Sequence, residues 1–205
     1  HELNIVGVRS ANTRANSFDD TINVSYRDGT GRWVSHSWPC TTDPGTYWLR
    51  SPMNGKGTAI LKGNMQYVGA YGIALHRGKY KALCQINGPV TVIRDYNRDD
   101  HLDFMNGSEA RGSFGINIHH ASSHGTTKTV DKYSAGCQVF ANIGDFEEFM
   151  ALCEKHRELY GNKFTYTLLD ERALARGSRR KLAYAGGIFA AVALVAALAL
   201  GTDND

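Results

Sequence analysis

The chain opens on a series of short runs in which apolar and polar residues alternate. Leu3 to Val8 and Thr21 to Tyr26 have the period of two expected of strands with one buried face. Arg27-Asp28-Gly29-Thr30-Gly31 reads as a hairpin turn between Thr21–Tyr26 and a strand over Arg32 to Trp38. Further short strands are expected at Tyr47–Arg50, Thr58–Lys62, Met65–Tyr71, Ile73–His76, Lys79–Ile86 and Val90–Asp95, punctuated by glycine, proline and asparagine. The texture then changes. From Asp145 to His156 the apolar residues recur at helical spacing, so one helix is expected over Gly144–Tyr160. Asn142 or Gly144-Asp145 would cap it and Gly161 would stop it. Phe164 to Leu169 alternates again as a closing strand. The pattern predicts a mainly β domain, a sandwich or barrel, with one packed helix.

The last part of the chain follows another rule. Leu182 to Leu200 contains no charged residue, and its one strongly polar group is the Tyr184 hydroxyl. A helix over this stretch would rise about 28 Å, close to the hydrocarbon thickness of a bilayer. It is expected to be a C-terminal transmembrane helix in contact with lipid. The expected organisation is a catalytic domain over 1–170, a basic juxtamembrane linker over 171–181, the span over 182–200 and an acidic tail over 201–205. The net charge of +3 on 205 residues is shaped by this organisation. Arg172, Arg176, Arg179, Arg180 and Lys181 cluster before the span, and the domain without them is close to neutral. No basic stripe suited to nucleic acid remains. The cluster reads as an anchor for acidic lipid headgroups and as a topology signal.

Four cysteines are present: Cys40, Cys84, Cys137 and Cys153. Their spacing fits no zinc pattern, and a domain of this size does not need disulfide staples. Cys84 and Cys153 read as small buried hydrophobes, and Cys40 precedes a polar turn. The acidic stretch around Asp95–Asp99 lacks the glycine and glutamate of a calcium loop. His119, His120 and His124 fall close together, but adjacent strand residues point to opposite faces, so no metal site is expected.

The candidate chemistry lies in Tyr133-Ser134-Ala135-Gly136-Cys137-Gln138-Val139, with His119 eighteen residues before the cysteine. A thiol is mostly protonated at neutral pH and needs a base to supply thiolate. The small residues before Cys137 leave room for backbone N–H groups to face a reacting carbonyl. Cys137, His119, Gly136 and Ser134 are the candidate catalytic residues. His120, Tyr133 and Gln138 are the candidate substrate contacts. His76, His101 and His124 read as ordinary surface or satisfied histidines.

These residues resemble the L,D-transpeptidase (YkuD-like) catalytic domain, whose motif is a histidine followed by Ser/Thr-His-Gly-Cys. Ser134, Gly136 and Cys137 match it, and Ala135 replaces the second histidine. The run is most similar to divergent phage-type Ser-x-Gly-Cys-Gln variants. A weaker likeness covers Pro39 to Tyr47, ahead of the family's substrate cleft. The order of His before Cys separates the chain from papain-like wall hydrolases. The resemblance implies a cofactor-free cysteine enzyme that processes peptidoglycan peptide stems through an acyl-enzyme. Lytic hydrolysis in a phage or phage-like particle is the first reading, and cross-linking transpeptidation in the cell envelope is the second. A catalytically inactive wall-binding or structural virion membrane protein is the third. The corresponding locations are a virion internal membrane or a bacterial envelope with the domain facing the periplasm, with virion or envelope proteins as possible partners.

Overall fold

The structure, a computed structural model, describes residues 2–104 and 107–173. Its strands are β1 (Asn4–Arg9), β2 (Asp20–Arg27), β3 (Trp33–Thr41), β4 (Thr58–Leu61), β5 (Met65–His76), β6 (Tyr80–Gln85), β7 (Val90–Asp95), β8 (Glu109–Gly112), β9 (Ile118–His120), β10 (Gln138–Phe140) and β11 (Phe164–Asp170). The helices are α1 (Thr46–Arg50) and α2 (Ile143–Tyr160). Eight strands close into a barrel in the order β1-β11-β5-β6-β9-β10-β3-β2, and β4-β7-β8 form a separate three-stranded sheet. The mainly β expectation therefore holds.

Local pattern explains most of these elements. β1, β2 and β11 alternate buried and partly buried positions, as strands with one face on a core must. β4 is buried at all four positions because both its faces are covered. Asn142 caps α2 through Oδ1, which accepts the N–H groups of Gly144 at 2.7 Å and Asp145 at 3.3 Å. Gly161 ends the helix at φ 90°. α2 buries Phe146, Phe149, Met150 and Cys153, one stripe at helical spacing, against β6, β9 and β10.

Two expected elements differ. Tyr47–Arg50 is not a strand but part of the one-turn helix α1. Leu49 is its only buried residue, and the Trp48 indole N–H donates to Lys132 O at 3.0 Å. The two strands expected on either side of Gly72 are one strand, β5, with Gly72 in register with Cys84 on β6. A side chain at Gly72 would meet Asn87 Nδ2 and Ile86 Cδ1 at 2.9 Å, so the glycine permits close approach rather than a break. β8 was not expected from the pattern. No helix among the described residues is long and apolar enough to cross a membrane. The expected span at Leu182–Leu200 lies outside the described residues, as does most of the linker before it.

One end of the barrel is held by a buried charge. Arg9, at the end of β1, has no exposed surface. Its Nε lies 2.8 Å from Asp43 Oδ1 and donates to Thr42 Oγ1 at 2.9 Å, while Nη2 donates to Thr42 O at 3.0 Å. Asp20 accepts from the N–H of Ser10 at 2.8 Å, and from the N–H and hydroxyl of Thr42 at 2.7 and 2.8 Å. Removing one member of such a set strands the others in low dielectric. Arg9→Met is expected to lower stability by about 3–5 kcal/mol, read from the urea midpoint.

Candidate functional site

The turn before Cys137 is built by Ser134, which is fully buried. Its hydroxyl donates to Cys137 O at 2.8 Å and accepts the Gly136 N–H at 3.1 Å. Its own carbonyl accepts the Gly45 N–H at 2.9 Å. Gly136 is required by its conformation. Its φ is +121°, and a Cβ there would lie 2.2 Å from Ala59 O. Because the Gly136 N–H is occupied by Ser134 Oγ, Gly136 serves the turn rather than presenting that N–H to a substrate.

Parallel pairing of β9 and β10 sets the strand that carries His119 beside the strand that follows Cys137. Gln138 is in register with Ile118, and Val139 with His119. One residue earlier, the Asn117 N–H donates to Cys137 Sγ at 3.4 Å, and Gln138 N–H donates to Asn117 O at 2.9 Å. Sγ lies 3.5 Å from Gly115 O, to which the thiol donates. Cys137 is partly exposed, Cys40, Cys84 and Cys153 are buried, and all four are free thiols.

His119 is oriented by backbone. Its Nδ1 lies 2.8 Å from His120 O. A carbonyl can only accept, so the proton of the neutral ring sits on Nδ1 and the lone pair is on Nε2. The Tyr80 hydroxyl lies 3.4 Å from the same Nδ1. His119 also stacks on His76, with centroids 4.2 Å apart and planes 22° from parallel. His76 is fixed in turn by Asn117. The Asn117 Oδ1 accepts the Gln85 N–H at 2.9 Å, so its amide nitrogen is the atom 3.0 Å from His76 Nδ1. His76 Nδ1 is therefore an acceptor, and its proton is on Nε2.

Burial dominates the electrostatics. It pushes the Cys137 thiol up to about 11, against smaller lowering effects from the Asn117 N–H and the charge of Arg77. It pushes His119 down to about 3, with the neighbouring His76 adding to the shift. His76 falls to about 4 through burial and the charge of Arg77. Near neutral pH, burial thus favours a neutral thiol at Cys137 and neutral imidazoles at His119 and His76 over a thiolate and an imidazolium.

His120 and Tyr133 lie at a surface cleft with Lys79, Tyr80, Ala121 and Ser122. His120 stacks on Tyr80 at 4.1 Å, and its Nδ1 lies 3.0 Å from Ser122 O. Tyr133 is largely exposed there. Gln138 is in a different position from the one expected of a substrate contact. It is fully buried, its Oε1 accepts the Tyr166 hydroxyl at 3.0 Å, and its amide nitrogen donates to Gly136 O at 3.3 Å. An enclosed side chain with both polar atoms engaged cannot line an open cleft, so its role is to tie the turn to the barrel interior.

His101 and His124 are exposed, as expected of surface histidines. His76 is at the site, contrary to its reading as an ordinary residue. Asn117 was not singled out from the sequence either. Its only signal was its position two residues before His119. Comparison of the chain with protein-family models, curated proteins and solved structures gives no match.

Two outcomes are expected from this geometry. Iodoacetamide should label Cys137 faster than Cys40, Cys84 or Cys153, and its rate should keep rising as pH approaches about 11. Mass spectrometry of quenched samples reads both. The histidines should make stability pH-dependent. Their folded-state values of about 3 and 4 lie below the ordinary 6.5, so the unfolded chain binds more protons in that window. The contribution is present above 6.5 and is lost as pH falls through the window, so the urea midpoint should drop on acidification from pH 7 to about 5.

Proposed function

We propose that the protein is a cysteine acyl-transfer enzyme with an L,D-transpeptidase-like fold, acting on the peptide stems of peptidoglycan. The observation that carries this reading is a partly exposed Cys137, on a turn built by Ser134, leading into the strand that pairs with the one carrying His119, whose Nδ1 is held by a backbone carbonyl. A base with its lone pair on Nε2 suits proton transfer from a thiol.

In this reading Cys137 Sγ attacks the carbonyl carbon of a stem amide next to a D-centre. His119 Nε2 takes the thiol proton as the S–C bond forms, so the raised thiol pKa does not require a standing thiolate. The Cys137 N–H is the turn's donor for the tetrahedral oxyanion, since that of Gly136 is bonded to Ser134 Oγ. The C–N bond breaks as His119 returns the proton to the leaving amine. Water then resolves the acyl-enzyme in a lytic enzyme, and a second stem amine resolves it in a cross-linking one. Hydrolysis in a phage or phage-like particle is the primary assignment. Leu182–Leu200 anchors the domain to a bilayer, in a virion internal membrane or in an envelope facing the periplasm, alongside virion or envelope proteins.

A second reading has one observation in its favour. Burial holds the Cys137 thiol and the His119 imidazole neutral, which also suits a wall-binding protein without turnover. Incubation of purified peptidoglycan with the protein and with Cys137→Ala separates the two, with muropeptides read by mass spectrometry. New cleaved or cross-linked products are expected with the wild type and none with Cys137→Ala. Absence of products from both would favour the binding reading.

His119→Ala is expected to reduce turnover by roughly a hundredfold or more, the scale of general-base loss. His120→Ala should be milder, because its backbone carbonyl, which orients His119, survives the substitution. The measurement is the initial rate of product formation. The reverse ranking would reject His119 as the base.

A further inference from the structure

Arg94 on β7 has 9% of its surface exposed, yet no carboxylate of the described residues forms an ion pair with it. Its Nη1 donates to Gly57 O at 3.2 Å, and its guanidinium lies over the Phe114 ring at 5.0 Å. Its Nε is buried with no hydrogen-bond acceptor. The neighbouring Asp95 is turned to other partners and accepts the Asp103 N–H at 2.9 Å. A guanidinium carries five N–H donors and keeps its charge at any physiological pH. Buried without a counter-charge, it bears an uncompensated desolvation cost.

The same arginine lines a cavity of about 230 Å³, with Trp48, Thr58, Ala59, Phe114 and Ala135 among its walls. The cavity adjoins the nucleophile's turn. Ala135 is two residues before Cys137, and Ala59, whose carbonyl oxygen packs against Gly136, is the register partner of Arg94 on β4. A mainly apolar wall, with Asn54 and Thr58 as its neutral polar members and one buried, under-partnered cation, selects a ligand with a small apolar body and a negative charge. The planar fork of a guanidinium matches a carboxylate.

We propose that this cavity is a substrate subsite in which Arg94 binds a free carboxylate of the peptide, at its C-terminal residue. The proposal rests on the peptide-stem reading above and adds the part of the substrate that is recognised. Aromatic walls at Trp48 and Phe114 leave room for the small side chain of such a residue, and the carboxylate supplies the missing counter-charge.

The test separates recognition from catalysis by using the full chain carrying Cys137→Ala, which cannot form an acyl-enzyme. The probes are N-acetyl-L-lysyl-D-alanine and its C-terminal carboxamide. Titration is followed by the Arg94 Nε–H resonance and by calorimetry. The carboxylate peptide is expected to shift the Arg94 Nε–H resonance and to bind roughly tenfold tighter than the carboxamide, the scale of one charge-assisted hydrogen bond. Adding Arg94→Met should abolish that preference, and Arg94→Lys should retain part of it. The resonance shift needs no Arg94 variant, so it stands if Arg94→Met fails to fold. No shift with the carboxylate peptide, or a preference that survives Arg94→Met in a folded protein, overturns the subsite. A carboxylate preference in a protein whose wild type yields no muropeptide products supports the subsite and rejects the catalytic reading.

Discussion

The fully buried Arg9 constrains the rest of the barrel. A guanidinium cannot shed its charge, so every group around it must be arranged to compensate it. Asp43 supplies an ion pair and Thr42 supplies a hydroxyl and a carbonyl. Asp20 accepts three hydrogen bonds from Ser10 and Thr42. These residues come from the end of β1, the segment after β3, and the start of β2, so satisfying the charge fixes where those strands meet. Thr42 O also lies 3.5 Å from the Gln138 amide nitrogen, and Gln138 takes the Tyr166 hydroxyl on its other side. The compensation of one buried cation therefore reaches the residue immediately after the candidate nucleophile.

The site inherits rigidity from that arrangement. Ser134 is bonded on both sides of its hydroxyl, and Gly136 packs against the Ala59 carbonyl, so the loop has little freedom. Burial of Cys137, His119 and His76 disfavours every charged form. A thiol and an imidazole in that condition can exchange a proton economically only when a reacting carbonyl accepts the negative charge. In the proposed reaction, activation belongs to the encounter with substrate rather than to the resting enzyme.

Two recesses adjoin the turn, and their chemistry differs. His120, Tyr133 and Ser122 line one, with polar and aromatic groups. Arg94, Phe114 and Trp48 line the other, where the charge is cationic and the walls are mainly apolar. The turn supplies a wall residue to each: Tyr133 lies in the first and Ala135 in the second. The two sides of the Cys137 turn therefore present different environments. Ala135 gives the Arg94 cavity an apolar wall at that point.

Much of this protein was legible along the chain. Alternation marked β1, β2 and β11, because a strand with one wet face must repeat every two residues. Helical spacing, Asn142 and Gly161 marked α2, because capping is local chemistry. The motif singled out Cys137, His119 and Ser134 as candidates, since small residues before a cysteine with an upstream histidine can be read without a fold. Elements of three to five residues were harder to read. Tyr47–Arg50 has too few positions to separate one helical turn from a strand, and β8, β9 and β10 are too short to show a period. Gly72 looked like a break because its reason, the close approach of Asn87 and Ile86, lies outside its own strand. Tertiary structure alone decided the company that His119 keeps. His76 reaches it through the pairing of β5 with β6 and of β6 with β9, and Arg94 reaches the Cys137 turn through β4. Gln138 follows the cysteine directly, yet pairing of β10 between β9 and β3 turns it inward to Tyr166. Local sequence sets which groups are capable of chemistry. Long-range strand pairing sets which of them meet, because contacts between distant segments depend on register and burial that no single window of sequence contains.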